Sequence, residues 1–183
     1  MSTNWHPLEQ ELQAWQDQGL TFPLWWRDDD AIAASPQLDQ LITLSQSLDL
    51  PVHLAVIPRD ASMDLVKSVA ATTQLIPVVH GWAHESHGPA SEKNIECGNH
   101  RPLDTVLAET KRSFSTLQTL FGAALRPMFV PPWNRITAEV VQELPNLGFT
   151  SLSTYGPRQA ISAAPGMTQI NTHLDPIAWT TNR

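Results

Sequence analysis

Asp28, Asp29 and Asp30 stand in succession at the end of the apolar run Phe22-Pro-Leu-Trp-Trp-Arg27. Adjacent carboxylates beside apolar residues repel one another and lose water, so they call for a partner, a proton or a cation. A second apolar run, Leu75-Ile-Pro-Val-Val79, is closed by His80-Gly-Trp-Ala-His84. On a helical turn two histidines four apart share a face, and both imidazoles can reach one ion. A pair at this spacing arises easily by chance in a chain with seven histidines, so the pair counts mainly through its position after a strand and the acids that accompany it.

Two imidazoles and one carboxylate leave coordination positions open, the arrangement of a catalytic rather than a structural site. That ligand set suits zinc, with cobalt or manganese as alternatives. An ion so held polarises a carbonyl and acidifies water, and a carboxylate next to the ligand can take the proton released. Tandem acids supply both roles, one on the ion and its neighbour on the water. The pattern points to a metal-dependent hydrolase.

The elements that must position these groups alternate between helix and strand. A polar-faced helix is expected over 8–18, ended by Gly19, and a strand over 22–27. Ser35-Pro36 is an N-cap followed by proline at the first helical position, opening a helix to about Leu48. Strand 52–57 follows, then a helix over 63–72 capped by Ser62, and strand 75–79. A loop over 85–102, rich in Gly, Pro, Asn and charge, is long enough to suggest a functional segment. A helix over 103–120 ends at Gly122, and a short strand over 128–130 runs into Pro131-Pro132. A helix over 137–144 and a strand over 149–153 come next, with one more strand predicted over 169–173. This alternation predicts an α/β fold with a parallel sheet, closed or nearly closed, whose functional groups gather at the carboxyl ends of the strands. Asp28–Asp30, His80, Pro131–Asn134 and Asp175 each follow a predicted strand.

The chain's 183 residues suit a single domain, 1–183. A net charge of −7 without a Lys/Arg cluster argues against nucleic acid or an anionic membrane as partner. Cys97 is the only cysteine, so no intramolecular disulfide exists. A polar start, Met1–Trp5, and the lack of a membrane-length apolar stretch lead to the expectation of a soluble cytoplasmic protein. Seven tryptophans are many for this length, and Trp25, Trp26, Trp82 and Trp133 flank the acidic or histidine motifs. Indoles there serve either as core or as walls for a sugar. His87 and His100 in the long loop are lesser candidates for the site, His53 reads as a core group, and Cys97 has no partner signature for a nucleophile.

Taken together, the order Asp-Asp, His-x-x-x-His, Pro-Pro-Trp resembles that of the polysaccharide deacetylases, the NodB-homology domains of carbohydrate esterase family four. The resemblance spans roughly residues 22–179 and implies a distorted (β/α) barrel. It also implies removal of an N- or O-linked acetyl group from a carbohydrate, that is, hydrolysis at carbon-nitrogen but not peptide bonds. A small cytoplasmic amide is the alternative substrate, and an inactive sugar-binding domain the alternative class. Aligned on the family's Asp-Asp, Asp28 becomes the catalytic base and Asp29 the metal ligand with His80 and His84. The register one residue later, Asp29 and Asp30, is the fallback. Val130-Pro-Pro-Trp-Asn134 resembles the groove-lining Arg-Pro-Pro-Tyr/Trp-Gly motif, and Asp175-Pro-Ile-Ala-Trp179 the Asp-x-x-Asp-Trp motif. The resemblance thus adds Trp82, Pro132, Trp133, Asn134, Asp175 and Trp179 as substrate-binding residues. Gly81 replaces the hydroxyl residue of the histidine motif, and Val130 replaces the arginine that orients the base, leaving Arg27, Arg101 or Arg135 to substitute. The family's final Leu-x-x-His motif does not occur before Arg183, and His173 precedes Asp175. The expectation is a barrel lacking its last elements, or an enzyme weaker on acetamides than on activated acetyl esters.

Overall fold

The computed structural model describes residues 4–21 and 23–176. Its strands are β1 (Trp26–Ala31), β2 (Val52–Val56), β3 (Leu75–His80), β4 (Met128–Val130), β5 (Ser151–Leu152), β6 (Ser162–Ala164) and β7 (Met167–Gln169). Its α-helices are α1 (His6–Asp17), α2 (Pro36–Leu48), α3 (Met63–Ala70), α4 (Leu103–Phe121) and α5 (Ala138–Glu143). The strands form one sheet in the order β1-β2-β3-β4-β5-β7-β6. Every pairing is parallel except the β6–β7 hairpin, which turns through Pro165-Gly166 with Gly166 at φ 76°.

Strand alternation sorts the side chains into two faces. Leu54, Val79 and Phe129 belong to the larger core, with Leu38 of α2, Leu65 and Val69 of α3, Leu117 of α4 and Val140 of α5. Their neighbours Ala55, Val78, Met128 and Val130 form a second cluster on the opposite face, joined by Trp25 and Ile170. The backbone ladder stays open between β1 and β6. Side chains bridge the gap instead: Arg27 Nη1 donates to Ser153 Oγ at 2.7 Å, and Trp25 Nε1 to the Asn171 carbonyl at 3.3 Å. The architecture is a barrel-like curled sheet, as expected, but not a closed barrel.

Two helices start where their caps predict. Ser35 Oγ accepts the Leu38 N–H at 3.1 Å with Pro36 opening α2, and Ser62 Oγ accepts the Leu65 N–H at 3.3 Å to open α3. Each cap is worth about 1 kcal/mol. The first helix buries no residue, so it contributes little to the core. No helix among the described residues is long and apolar enough to cross a membrane.

Two expectations change. The first strand is Trp26–Ala31 rather than 22–27, so the three acids lie within β1; Phe22 falls outside the described residues. As an edge strand with an irregular register between Asp28 and Ala31, β1 tolerates charge that a central strand would not. The predicted strand over 169–173 is replaced by β7 at Met167–Gln169, preceded by β6.

Candidate active site

The register of β1 on β2 pairs Trp26 with Val52, Arg27 with His53 and Asp28 with Leu54. Alternation therefore turns Arg27 and Asp29 to the concave face and Asp28 to the helix-covered face with Leu54. The carboxyl of Asp28 is pushed above its usual range, first by burial and then by the charges of Asp29 and Asp30. Asp30 leaves the alternation. Its backbone takes φ 70°, a left-handed conformation that aspartate tolerates better than most residues, and its side chain reaches the end of β3.

There Asp30 Oδ1 lies 3.0 Å from His80 Nε2 and 3.2 Å from His84 Nε2. The ring of His80 is 2 % exposed, and its Nδ1 lies 2.9 Å from the Val130 carbonyl oxygen. A carbonyl only accepts, so Nδ1 carries the proton and the neutral ring presents the Nε2 lone pair. Lone pair then faces carboxylate oxygen, and only an added proton or a cation makes the contact favourable. With a proton on Nε2 as well, the hydrogen bond donated by His80 is the largest influence on Asp30 and holds its carboxyl below the usual range, against the opposing effect of burial.

The donor set fits a divalent ion. One ligand atom from each of Asp30, His80 and His84 lies within 4.8 Å of the others. Donors about 2.1 Å from a common ion stand about 3.4 Å apart at a tetrahedral angle and about 3.0 Å apart at a right angle. The separations of 3.0 and 3.2 Å fall at or between these values.

Sequence spacing suggested that His80 and His84 share a helical turn. They do not. His80 is the last residue of β3, and residues 81–84 form an irregular turn with Gly81 and His84 both at φ 57°. The turn brings the two rings to 5.2 Å between centroids. A Cβ on Gly81 would lie 2.3 Å from Glu96 Oε2 and 2.6 Å from Pro132, so glycine there follows from both close approach and conformation.

Asp29 is held by Arg27 rather than by the histidines. Arg27 Nε lies 2.8 Å from Asp29 Oδ1, and Nη2 donates to Asp29 Oδ2 at 2.9 Å. The same guanidinium donates to Ser153 Oγ and, at 2.8 Å, to Asn134 Oδ1. With its side chain 4 % exposed, Arg27 joins β1, β5's end and the β4–α5 connection. Of the three arginines considered for orienting a carboxylate, Arg27 is the one beside the tandem acids. Arg101 pairs with Glu109 at 2.8 Å, and Arg135 donates to the Asn94 carbonyl at 2.8 Å.

The Pro131–Asn134 segment completes the site. Trp133 and Asn134 adopt φ 55° and 58°, and strain of this kind collects at functional positions. The Trp133 ring sits 4.3 Å from that of His84. Asn134 keeps a left-handed backbone of the sort glycine would adopt, and its side chain adds the contact to Arg27. Arg112 of α4 lies over the Trp82 indole at 4.3 Å. Asp175 is exposed, and Trp179 lies outside the described residues. The single cysteine, Cys97, is buried and its thiol is held protonated by burial.

One residue of the site escaped sequence reasoning. Glu96, 2 % exposed, accepts the backbone N–H groups of Trp82 and Ala83 on Oε1, at 3.1 and 2.8 Å, and that of His84 on Oε2 at 3.2 Å. Burial raises its carboxyl above the ordinary range while these donors oppose the shift. Its only signal in the sequence was its place in the long polar loop.

No protein-family model matches the chain, and none of the curated proteins matches it. Solved structures do. A de-N-acetylase from Aggregatibacter actinomycetemcomitans aligns over 90% of this chain and 76% of its own, at 13% identity and a TM-score of 0.61. IcaB from Ammonifex degensii aligns over 83% and 68%, at 14% identity and the same score of 0.61. The Streptococcus pyogenes deacetylase PplD, in complex with acetate, aligns over 90% and 70%, at 16% identity and 0.61. Identities this low establish the fold alone: the chain has the mostly parallel α/β fold of the NodB-like polysaccharide deacetylases.

Proposed function

We propose that this protein is a metal-dependent hydrolase that removes an N- or O-linked acetyl group from a carbohydrate. The observation that carries the reading is Asp30 Oδ1 facing two imidazole Nε2 atoms at 3.0 and 3.2 Å, with Arg27-held Asp29 one residue away. The fold supports it, since the similar structures named above are deacetylases.

In this reading Asp30, His80 and His84 hold one divalent ion, zinc in first place and cobalt or manganese as alternatives. When bound, the ion supplies Lewis acidity to the acetyl carbonyl oxygen and lowers the pKa of water beside it to about 7. Asp29 takes the proton from the attacking water. Arg27 aims Asp29, its Nη2 donating to Oδ2 while Nε stands beside Oδ1 as an ion-pair partner. Val130 fixes the tautomer of His80 through its carbonyl, as groups behind metal ligands do. Pro132, Trp133 and Asn134 form the wall beside His84 against which a sugar would rest. The assignment uses the later register of the tandem acids: Asp29 as base and Asp30 as ligand. Asp28 is turned to the other face of β1 and has neither role.

The test is acetate release from N-acetylated and O-acetylated oligosaccharides and from an activated acetyl ester, by protein purified without chelator. Elemental analysis should give one divalent ion per chain. Chelation should abolish release, and zinc, cobalt or manganese should restore it. Saccharide binding without acetate release would favour a binding domain, and release unaffected by chelation would remove the ion from the mechanism.

A further inference from the structure

Residues 81–84 have no regular hydrogen bonding of their own, yet they must hold His84 where its Nε2 meets Asp30. The turn cannot rely on propensity. It contains two left-handed residues, and one of them, His84, is not a glycine; φ 57° is uncommon for any residue with a Cβ. Something outside the turn holds it in shape, and Glu96 is in contact with every residue of it. Oε1 receives the Trp82 and Ala83 N–H groups, Oε2 receives that of His84, and Oε2 occupies the space into which a Gly81 side chain would project.

The backbone that carries Glu96 is itself anchored from two directions. Arg101, clamped on Glu109 of α4, reaches the Glu96 carbonyl oxygen at 3.4 Å. On the other side the Thr137 N–H donates to the Cys97 carbonyl at 3.1 Å, and Cys97 bridges Ile136. Glu96 therefore stands between α4 and the connection that carries Trp133 and Asn134.

We propose that Glu96 is a positioning residue of the metal centre, its carboxylate serving as the template on which the 81–84 turn closes and His84 is aimed. The proposal rests on the reading of Asp30, His80 and His84 as ligands. It makes the 85–102 loop part of the site rather than a surface excursion, and it explains a glycine at position 81: a side chain there would displace the template.

Two variants test it. Glu96→Gln preserves shape and keeps one carbonyl acceptor for Trp82 and Ala83, but turns an amide N–H₂ toward the His84 N–H. Glu96→Ala removes all three acceptors. Zinc or cobalt affinity, measured against a chromophoric chelator, should fall about tenfold in the first and about a hundredfold in the second, the range for groups that orient metal ligands. Hydrogen exchange on metal-free protein should show the amides of Trp82, Ala83 and His84 exchanging faster in Glu96→Gln while those of Val78 and Val79 stay protected. Should Glu96→Ala fail to fold, the glutamine variant alone decides. Unchanged affinity with unchanged exchange at 82–84, or uniform acceleration across β3 as well, overturns the proposal. If the wild-type chain binds neither zinc nor cobalt, the metal reading fails, and the exchange pattern still decides whether Glu96 shapes the turn.

Discussion

Replacing Asp29 with asparagine separates the two registers of the tandem acids. An amide cannot take a proton from water, so the general-base contribution, about 10²–10⁴-fold, is lost from kcat/KM. The structural cost is smaller and can be worked from the contacts. Asp29 Oδ2 accepts Arg27 Nη2 at 2.9 Å, and Oδ1 stands 2.8 Å from Nε as an ion-pair contact without hydrogen-bond geometry. Asparagine keeps one acceptor, so one charge-assisted contact disappears, about 1.5–3 kcal/mol. Arg27 retains Ser153 Oγ and Asn134 Oδ1 and is not left without acceptors in its buried position. The variant should therefore fold, bind its ion with unchanged stoichiometry, and fail in turnover. Acetyl ester hydrolysis with elemental analysis on the same preparations is the assay, with Asp28→Asn and Asp30→Asn beside it. Asp28→Asn should keep both ion and activity, and Asp30→Asn should lose the ion. The reasoning is refuted if Asp29→Asn loses the ion while Asp30→Asn keeps it, or if Asp28→Asn is the variant that folds, binds metal and is inert.

Metal removal follows the same geometry: a His80→Ala/His84→Ala double variant should bring metal stoichiometry close to zero, and wild-type stoichiometry in that variant would refute the site. Asp28→Asn should also stabilise the metal-free protein. The folded pKa of Asp28 lies above its unfolded value, so folding binds a proton there and the wild type loses stability as pH rises through the carboxylate range; the advantage of the variant should appear above that range and vanish below it, as read by denaturant midpoints at several pH values. Arg27→Met strands Asp29 in a half-buried site beside two other acids. It should cost about 3–5 kcal/mol in urea unfolding, the range for removing one partner of a buried pair, and depress turnover without emptying the metal site. Phe129, fully buried in β4 between the sheet and its helices, should cost about 3–5 kcal/mol when cut to alanine, with metal stoichiometry unchanged.

The helices were legible because their signals are local. Ser35-Pro36 and Ser62 each made the cap hydrogen bond that their position implied, and Gly122 ended α4 at φ 55°. The β6–β7 hairpin was not, since three-residue strands carry too little alternation to stand out. The start of β1 was misjudged for a different reason. Charge argues against strand in any local reading, yet Asp28–Asp30 continue β1 because Arg27 within the strand and the histidines from a distant part of the chain answer the charge. The histidine pair was legible as a pair and not as a geometry: its spacing matched a helical turn, while the chain uses two left-handed residues to reach the same end. Glu96 lay beyond any local rule, for a single glutamate in a polar loop looks solvated until the fold buries it.

The departures from the resembling motif change meaning once the contacts are seen together. Val130 lacks the guanidinium that would orient the base, but its carbonyl sets the His80 tautomer, a role indifferent to its side chain. Arg27 brings a guanidinium to Asp29 from within β1, two residues before it, where alternation places both on the concave face. Asn134 stands in place of glycine because it both tolerates φ 58° and gives Arg27 an acceptor. These three positions form one arrangement, since an arginine arriving from β1 needs an acceptor on the β4–α5 connection, and asparagine is the residue that supplies it without giving up the left-handed backbone. Judged by motif letters the site looks degraded; judged by which atoms meet, Asp29 retains a guanidinium partner and Asp30 retains two imidazoles.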